Sequence, residues 1–176
     1  FSIYLLYLGL AYWIDPYDLF RAETNQRLNE LESKIAFPIN QRLYLLKQYT
    51  ENPSDVILLG DSRTQSLSAS LVEKLTNRST ANLAFGAAAI SEIIDTFWYV
   101  TKIHDVHEVY IGLNFNLFNE FDYSGKAEEA IQLMGSPERY FFSKYCYKSL
   151  YHIIKAILTG RETEFSPEII AEPPQY

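Results

Sequence analysis

Three short stretches carry groups from which acyl-transfer chemistry could be assembled. The first, Gly60-Asp61-Ser62-Arg63-Thr64, sets a serine on a tight turn between an apolar run and a helical pattern. Such a turn presents the hydroxyl, and the helix start behind it brings N–H groups and partial positive charge toward a developing anion. The same residues equally suit a plain helix cap formed by Ser62 or Asp61. The second stretch, Asn82-Leu83-Ala84-Phe85-Gly86-Ala87-Ala88-Ala89, is a run of small residues around one glycine. Small residues let backbone approach a ligand closely, so the Gly86 N–H is a candidate oxyanion donor; a tight turn that needs glycine explains it as well. The third, Gly112-Leu113-Asn114-Phe115-Asn116, offers a carboxamide at Asn114 that suits an oxyanion. Asn116 and Asn119 compete for that role, and asparagine also suits loop conformations in general.

These groups need rigid elements behind them. Val56-Ile57-Leu58-Leu59 is a continuous apolar run of the kind found in strands buried on both faces. Residues 81–85 and 108–113 read as two further strands. Helical spacing appears over 64–77, with Leu67, Leu71, Val72 and Leu75, and over 91–103, with Ile93, Ile94, Phe97 and Trp98 on one side. Strands alternating with helices predict an α/β domain: a parallel sheet with helices on both faces. Each candidate turn then follows the carboxyl end of a strand, where open α/β sheets form their binding crevice.

Beyond the third strand, 114–125 reads as a loop and 126–134 as a short helix. Ser136-Pro137 is a favourable helix start, and the aromatic helix it opens should run to about Leu158 and stop at Gly160. Upstream, 18–34 has amphipathic spacing at Leu28, Leu31 and Ile35, and Phe37-Pro38 should break or kink it. A second helical piece covers 40–49, before a turn at 52–55. The expected organisation is an anchor helix end over 1–14, a helical stalk over 15–55, the α/β domain over 56–160 and an irregular tail over 161–176.

The 176 residues suit one domain, and 48% hydrophobic against 21% charged residues suits a folded core. The net charge of −7 argues against nucleic acid as a partner, because phosphate contacts need clustered Lys and Arg. Cys146 is the one cysteine, so no internal disulfide or thiolate metal cluster can form. It is expected to pack as a small apolar residue. The chain contains neither a Gly-x-x-x-x-Gly-Lys-[Ser/Thr] loop nor Gly-x-Gly-x-x-Gly, which sets a nucleotide-binding reading low, and no cofactor or metal is expected. Residues 1–14 carry no charge. Spanning a bilayer takes about 20 apolar residues, so this run is expected to be the last part of a longer spanning or anchor helix. Tyr12 and Trp13 would then form an aromatic belt before Asp15-Pro16; a buried N-terminal helix or a signal-peptide remnant are the other readings.

Taken together, the three turns resemble the blocks of the SGNH/GDSL hydrolase family. Gly60-Asp61-Ser62 is similar to its first block, Gly86 to its second, and Gly112-Leu113-Asn114 to its Gly-X-Asn block. Ile14-Asp15-Pro16-Tyr17 after an apolar helix, Gly-Asp-Ser-Arg-Thr, and Ile111-Gly112-Leu113-Asn114-Phe115 look like a membrane-anchored branch that includes the DltD and alginate-acetylation type proteins. The likeness covers roughly residues 14–120 and implies a three-layer, flavodoxin-like sheet that is incomplete in this chain. It implies Ser62 as nucleophile, with the N–H groups of Ser62 and Gly86 and the Asn114 side chain holding the oxyanion. The implied activity is a serine esterase or O-acyltransferase acting outside the cytoplasm, periplasmic or at the cell surface, on an acylated glycan. The partners implied are the membrane and an integral-membrane protein. Two departures stand out. Phe115 replaces the Asp that usually follows the third block, and no Asp-X-X-His occurs to supply the catalytic base. His104 and His107 should lie at the sheet end opposite the site, and His152 in the aromatic helix. A catalytically inactive, SGNH-like scaffold subunit of a membrane complex is the rival expectation.

Overall fold

The computed structural model describes residues 2–20, 26–118 and 124–160. These residues form nine α-helices, one 3-10 turn and three β-strands, and they divide into two compact units. One unit comprises 45–118 and 124–131; the other comprises 2–20, 26–44 and 132–160.

The first of these units holds the sheet. β1 (Val56–Gly60) lies between β2 (Thr80–Asn82) and β3 (Glu108–Gly112), and both pairings are parallel. All five β1 residues are buried, as its unbroken apolar run requires. Pairing on the β2 side continues past the strand itself: Leu83 N donates to Leu58 O at 2.9 Å and Phe85 N to Gly60 O at 3.1 Å. β3 is less covered, with Tyr110 and Ile111 exposed.

The helices between these strands depart from the sequence pattern in two places. The single helix expected over 64–77 is two: α4 (Ser62–Gln65) and α5 (Ala69–Thr76). The Asn82 amide accounts for the break. It donates to the carbonyls of Thr64 (2.9 Å), Gln65 (3.3 Å) and Leu67 (2.9 Å), so these acceptors are satisfied without helix continuation. Ser68 then caps α5 by accepting from Leu71 N. In α6 (Ile90–Ile103) the buried face is Glu92, Ile93, Thr96 and Val100, while Ile94 and Trp98 are exposed. The apolar stripe expected through Ile94 and Trp98 is therefore not the one that packs. Glu92 turns inward because its carboxylate accepts from Ala89 N at 3.2 Å and closes the helix start.

The second unit is helical. α1 (Ser2–Ile14) packs on α8 (Pro137–Phe141) and α9 (Lys144–Thr159), and α2 (Gln26–Ile39) packs on α9. The unit boundaries fall inside α3 (Gln41–Glu51) and α7 (Lys126–Met134). Residues 132–160 thus group with the N-terminal helices, although the sequence reading assigned them to the α/β domain. Pro38 lies inside α2, and the helix ends one residue beyond it, at Ile39. The proline removes one backbone donor from the last turn, whose Ile35, Ala36 and Phe37 are buried. The aromatic helix expected from Ser136 is likewise two helices. Ser143 caps α9 by accepting from Cys146 N, and Tyr7 Oη donates to the Phe141 carbonyl at the break.

Buried polar groups hold this unit together. Asp15, fully buried at the end of α1, accepts from Tyr140 Oη and Phe20 N, both at 2.6 Å. Tyr17 N donates to Tyr140 Oη at 3.1 Å, Tyr17 Oη donates to Ala36 O at 3.0 Å, and Ser149 Oγ donates to Tyr17 Oη at 3.3 Å. Burial pushes the Tyr140 phenol well above its ordinary value, with the Asp15 carboxyl adding to the shift, and burial raises Tyr17 too. Cys146 is buried as expected, and its thiol is pushed up to about 11, first by that burial. No described helix is long and apolar enough to cross a membrane; α1 has 13 described residues, roughly 20 Å of helix.

Candidate active site at the carboxyl ends of the strands

Parallel pairing carries all three candidate turns to one end of the sheet. Gly60 stands in register with Gly112, and Gly60 O accepts from Phe85 N, so the Ser62, Gly86 and Asn114 turns leave three adjacent strands side by side. The β2-β1-β3 order reverses the direction of winding between β1 and β3. Loops diverge at such a switch point and open a crevice there.

Glycines at the paired strand ends are explained by one side chain. Thr64 is buried over them, and a methyl group on either Gly60 or Gly112 would run into it. Gly60 also has φ +154°. The buried Asn82 amide ties the α4 turn to β2, and Asn82 Oδ1 accepts from Ala84 N at 3.1 Å. Asn82 is the organising residue that pattern reasoning passed over. A lone carboxamide among the apolar residues of 81–85 is the signal the sequence offers.

Asp61 is the N-cap of α4, with Oδ1 accepting from Arg63 N at 3.0 Å. Its Oδ2 accepts a hydrogen bond from Asn114 Nδ2. The Asn114 carbonyl oxygen accepts from Asn116 N at 2.8 Å and Leu117 N at 3.3 Å, closing the 3-10 turn at Phe115–Phe118. Asn114 thus joins β3's turn to the serine turn, with one amide hydrogen committed to Asp61. Asn116 is exposed, and Asn119 lies outside the described residues.

Ser62 is the first residue of α4 and is exposed, and its Oγ makes no hydrogen bond to a described residue. Helix capping, which would have explained the serine, belongs to Asp61. Gly86 is half-buried, and the left-handed residue of its turn is Ala87, at φ +52°. Such a conformation costs a non-glycine residue about 1 kcal/mol. Gln65 Oε1 lies 3.5 Å from the position a Gly86 Cβ would take, so a second carboxamide from α4 borders that turn.

The chain has three histidines, and none is brought to Ser62 within this unit. His104 Nε2 lies 3.2 Å and His107 Nδ1 3.7 Å from Asp55 Oδ1, at the start of β1 and so at the opposite end of the sheet. Those contacts, the His104 hydrogen bond foremost, hold the Asp55 carboxyl below its usual range. His152 stands on α9 in the helical unit; desolvation, then Lys148 and Lys155, depress its pKa. No cluster of His, Cys, Asp or Glu among the described residues could hold a metal ion.

Comparison with known proteins finds no family model, no curated protein and no solved structure that matches this chain.

Proposed function

We propose that the sheet-bearing unit is the front part of an SGNH/GDSL-like domain with a flavodoxin-like, three-layer sheet, in a membrane-anchored protein outside the cytoplasm. Ser62 is its nucleophile, and the reaction is ester hydrolysis or O-acyl transfer on a cell-surface polysaccharide or other acylated glycan. The observation that carries this reading is the set of three adjacent turns around Gly60 and Gly112, with Ser62 exposed and outside the hydrogen bonds that build its own turn. Ser62 Oγ attacks the ester carbonyl, the alcohol leaves, and water or an acceptor hydroxyl takes the acyl group from the serine ester. The N–H groups of Ser62 and Gly86 and the second amide hydrogen of Asn114 are the oxyanion donors. Losing one such donor typically costs about 3 kcal/mol of transition-state stabilisation.

A fluorophosphonate probe tests this directly. A covalent adduct mapped to Ser62 by peptide mass spectrometry, and absent in Ser62→Ala, supports the nucleophile. Folded protein that takes up no probe counts against it.

One observation favours a second reading, a catalytically inactive scaffold subunit of a membrane complex. Asn114 and Asp61 are committed to each other, and no histidine of this unit reaches their end of the sheet. On that reading Ser62→Ala leaves cellular function intact.

A further inference from the structure

The 3-10 turn after β3 holds two phenylalanine rings in solvent beside the serine turn. Phe115 is 92% exposed, more than any other large apolar side chain among the described residues, and Phe118 is 67% exposed. Leu117, between them in sequence, is buried. Residues i and i+3 of a 3-10 turn eclipse, about 6 Å apart along its axis. Phe115 and Phe118 therefore share one side of the turn, Leu117 roots it in the core, and exposed Asn116 takes the side that remains.

One carboxamide fixes this turn against the serine turn. Asn114 Oδ1 accepts from Asn116 N and Leu117 N, and Asn114 Nδ2 donates to Asp61, the residue before Ser62. The rings are thus set, without a long flexible loop, within a few residues of the candidate nucleophile. Covering a phenylalanine ring is favourable, and the described residues leave that gain unused here.

The shape of the turn selects the ligand. An acyl chain is best held in a concave apolar pocket that encloses it. Rings standing open on a turn, with a free carboxamide on the adjoining side, suit a flat ligand that has apolar faces and hydroxyls at its edge. A pyranose with equatorial substituents has that form, and β-1,4 linkage keeps successive rings flat.

We propose that Phe115 and Phe118 are a stacking platform for the pyranose rings of a β-1,4-linked glycan, with Asn116 hydrogen-bonding its hydroxyls, so that the esterified sugar lies beside Ser62. This rests on the glycan part of the reading above and does not require Ser62 to be the nucleophile.

The test titrates the full chain carrying Ser62→Ala with partially O-acetylated cellohexaose. Calorimetry reads the affinity, and saturation-transfer NMR reads which sugar protons meet the protein. Saturation should reach the pyranose C–H protons. Phe115→Ala and Phe118→Ala should each weaken binding by about 10-fold, and Asn116→Ala by about 5-fold. Phe115→Tyr, which keeps the ring, should bind as tightly as the parent, and maltohexaose, whose α-1,4 linkages curl the chain, should bind more weakly. Unchanged far-UV circular dichroism shows that the variants fold. No binding of the acetylated cellohexaose, an affinity that survives loss of both rings, a Phe115→Tyr variant as weak as Phe115→Ala, or tighter binding of octanoate than of the sugar would each overturn the platform. Fluorophosphonate labelling of the wild-type chain separates the two readings. Ring-dependent binding with Ser62 unlabelled supports the platform and counts against the serine chemistry; labelled Ser62 with ring-independent binding removes the platform alone.

Discussion

Asp15 and Asp61 each end a regular element and each tie a local turn to a distant segment, yet the two regions use the device differently. Asp15 follows α1 and binds Tyr140 across 125 residues; Asp61 follows β1 and binds Asn114 across 53. In the helical unit the polar groups answer one another, Tyr140 with Tyr17 and Asp15, and Tyr17 with Ala36 and Ser149. At the sheet, Asp61, Asn82 and Asn114 brace the turn, while Ser62 stands exposed beside them and contributes no bond to the bracing. A buried network of the first kind is architecture. A braced turn that leaves one hydroxyl outside is the arrangement a nucleophile needs, since its removal should not disturb its supports.

The largest test of this contrast is Tyr140→Phe. It takes the donor from buried Asp15 and the acceptor from Tyr17 N, and should cost about 3 kcal/mol in denaturant unfolding. It also carries a pH signature. Both phenols are raised on folding, so above about pH 10 the unfolded chain sheds protons that the native one keeps. Stability should therefore fall as pH rises through that region, and Tyr140→Phe should flatten the fall. An unchanged alkaline profile would mean that the network is not closed as described.

Gly112→Ala should be next, at about 2 kcal/mol, because the new methyl group meets Thr64. Adding Thr64→Ala should recover part of that loss in a double-mutant cycle, and simple additivity would deny that the two strand ends share this contact. The smallest effect should be that of Ser62→Ala, within about 0.5 kcal/mol of wild type. A larger loss would put Ser62 among the supports and remove the contrast.

Much of the α/β unit was legible in the residues. Val56–Gly60 is a strand because a continuous apolar run suits the middle of a sheet, and Gly160, at φ +63°, ends α9 where a left-handed cap was expected. Helix continuity was less legible. Residues 64–77 and 136–158 have unbroken helical spacing, but Asn82 and Tyr7 take carbonyls at the two breaks from far along the chain. The facing of α6 departs from its hydropathy for a related reason. Hydropathy favoured Ile94 and Trp98, and a capping bond turned Glu92 inward instead.

By itself the amino-acid sequence determined where strands and helices alternate and that serine, glycine and asparagine each follow a strand, since both are consequences of local periodicity. Only the tertiary structure decided that Asn114 answers Asp61, that Asn82 holds the serine turn, and that 132–160 joins the N-terminal helices. Those outcomes depend on strand order, register and helix packing between residues far apart in the chain, which no local pattern encodes.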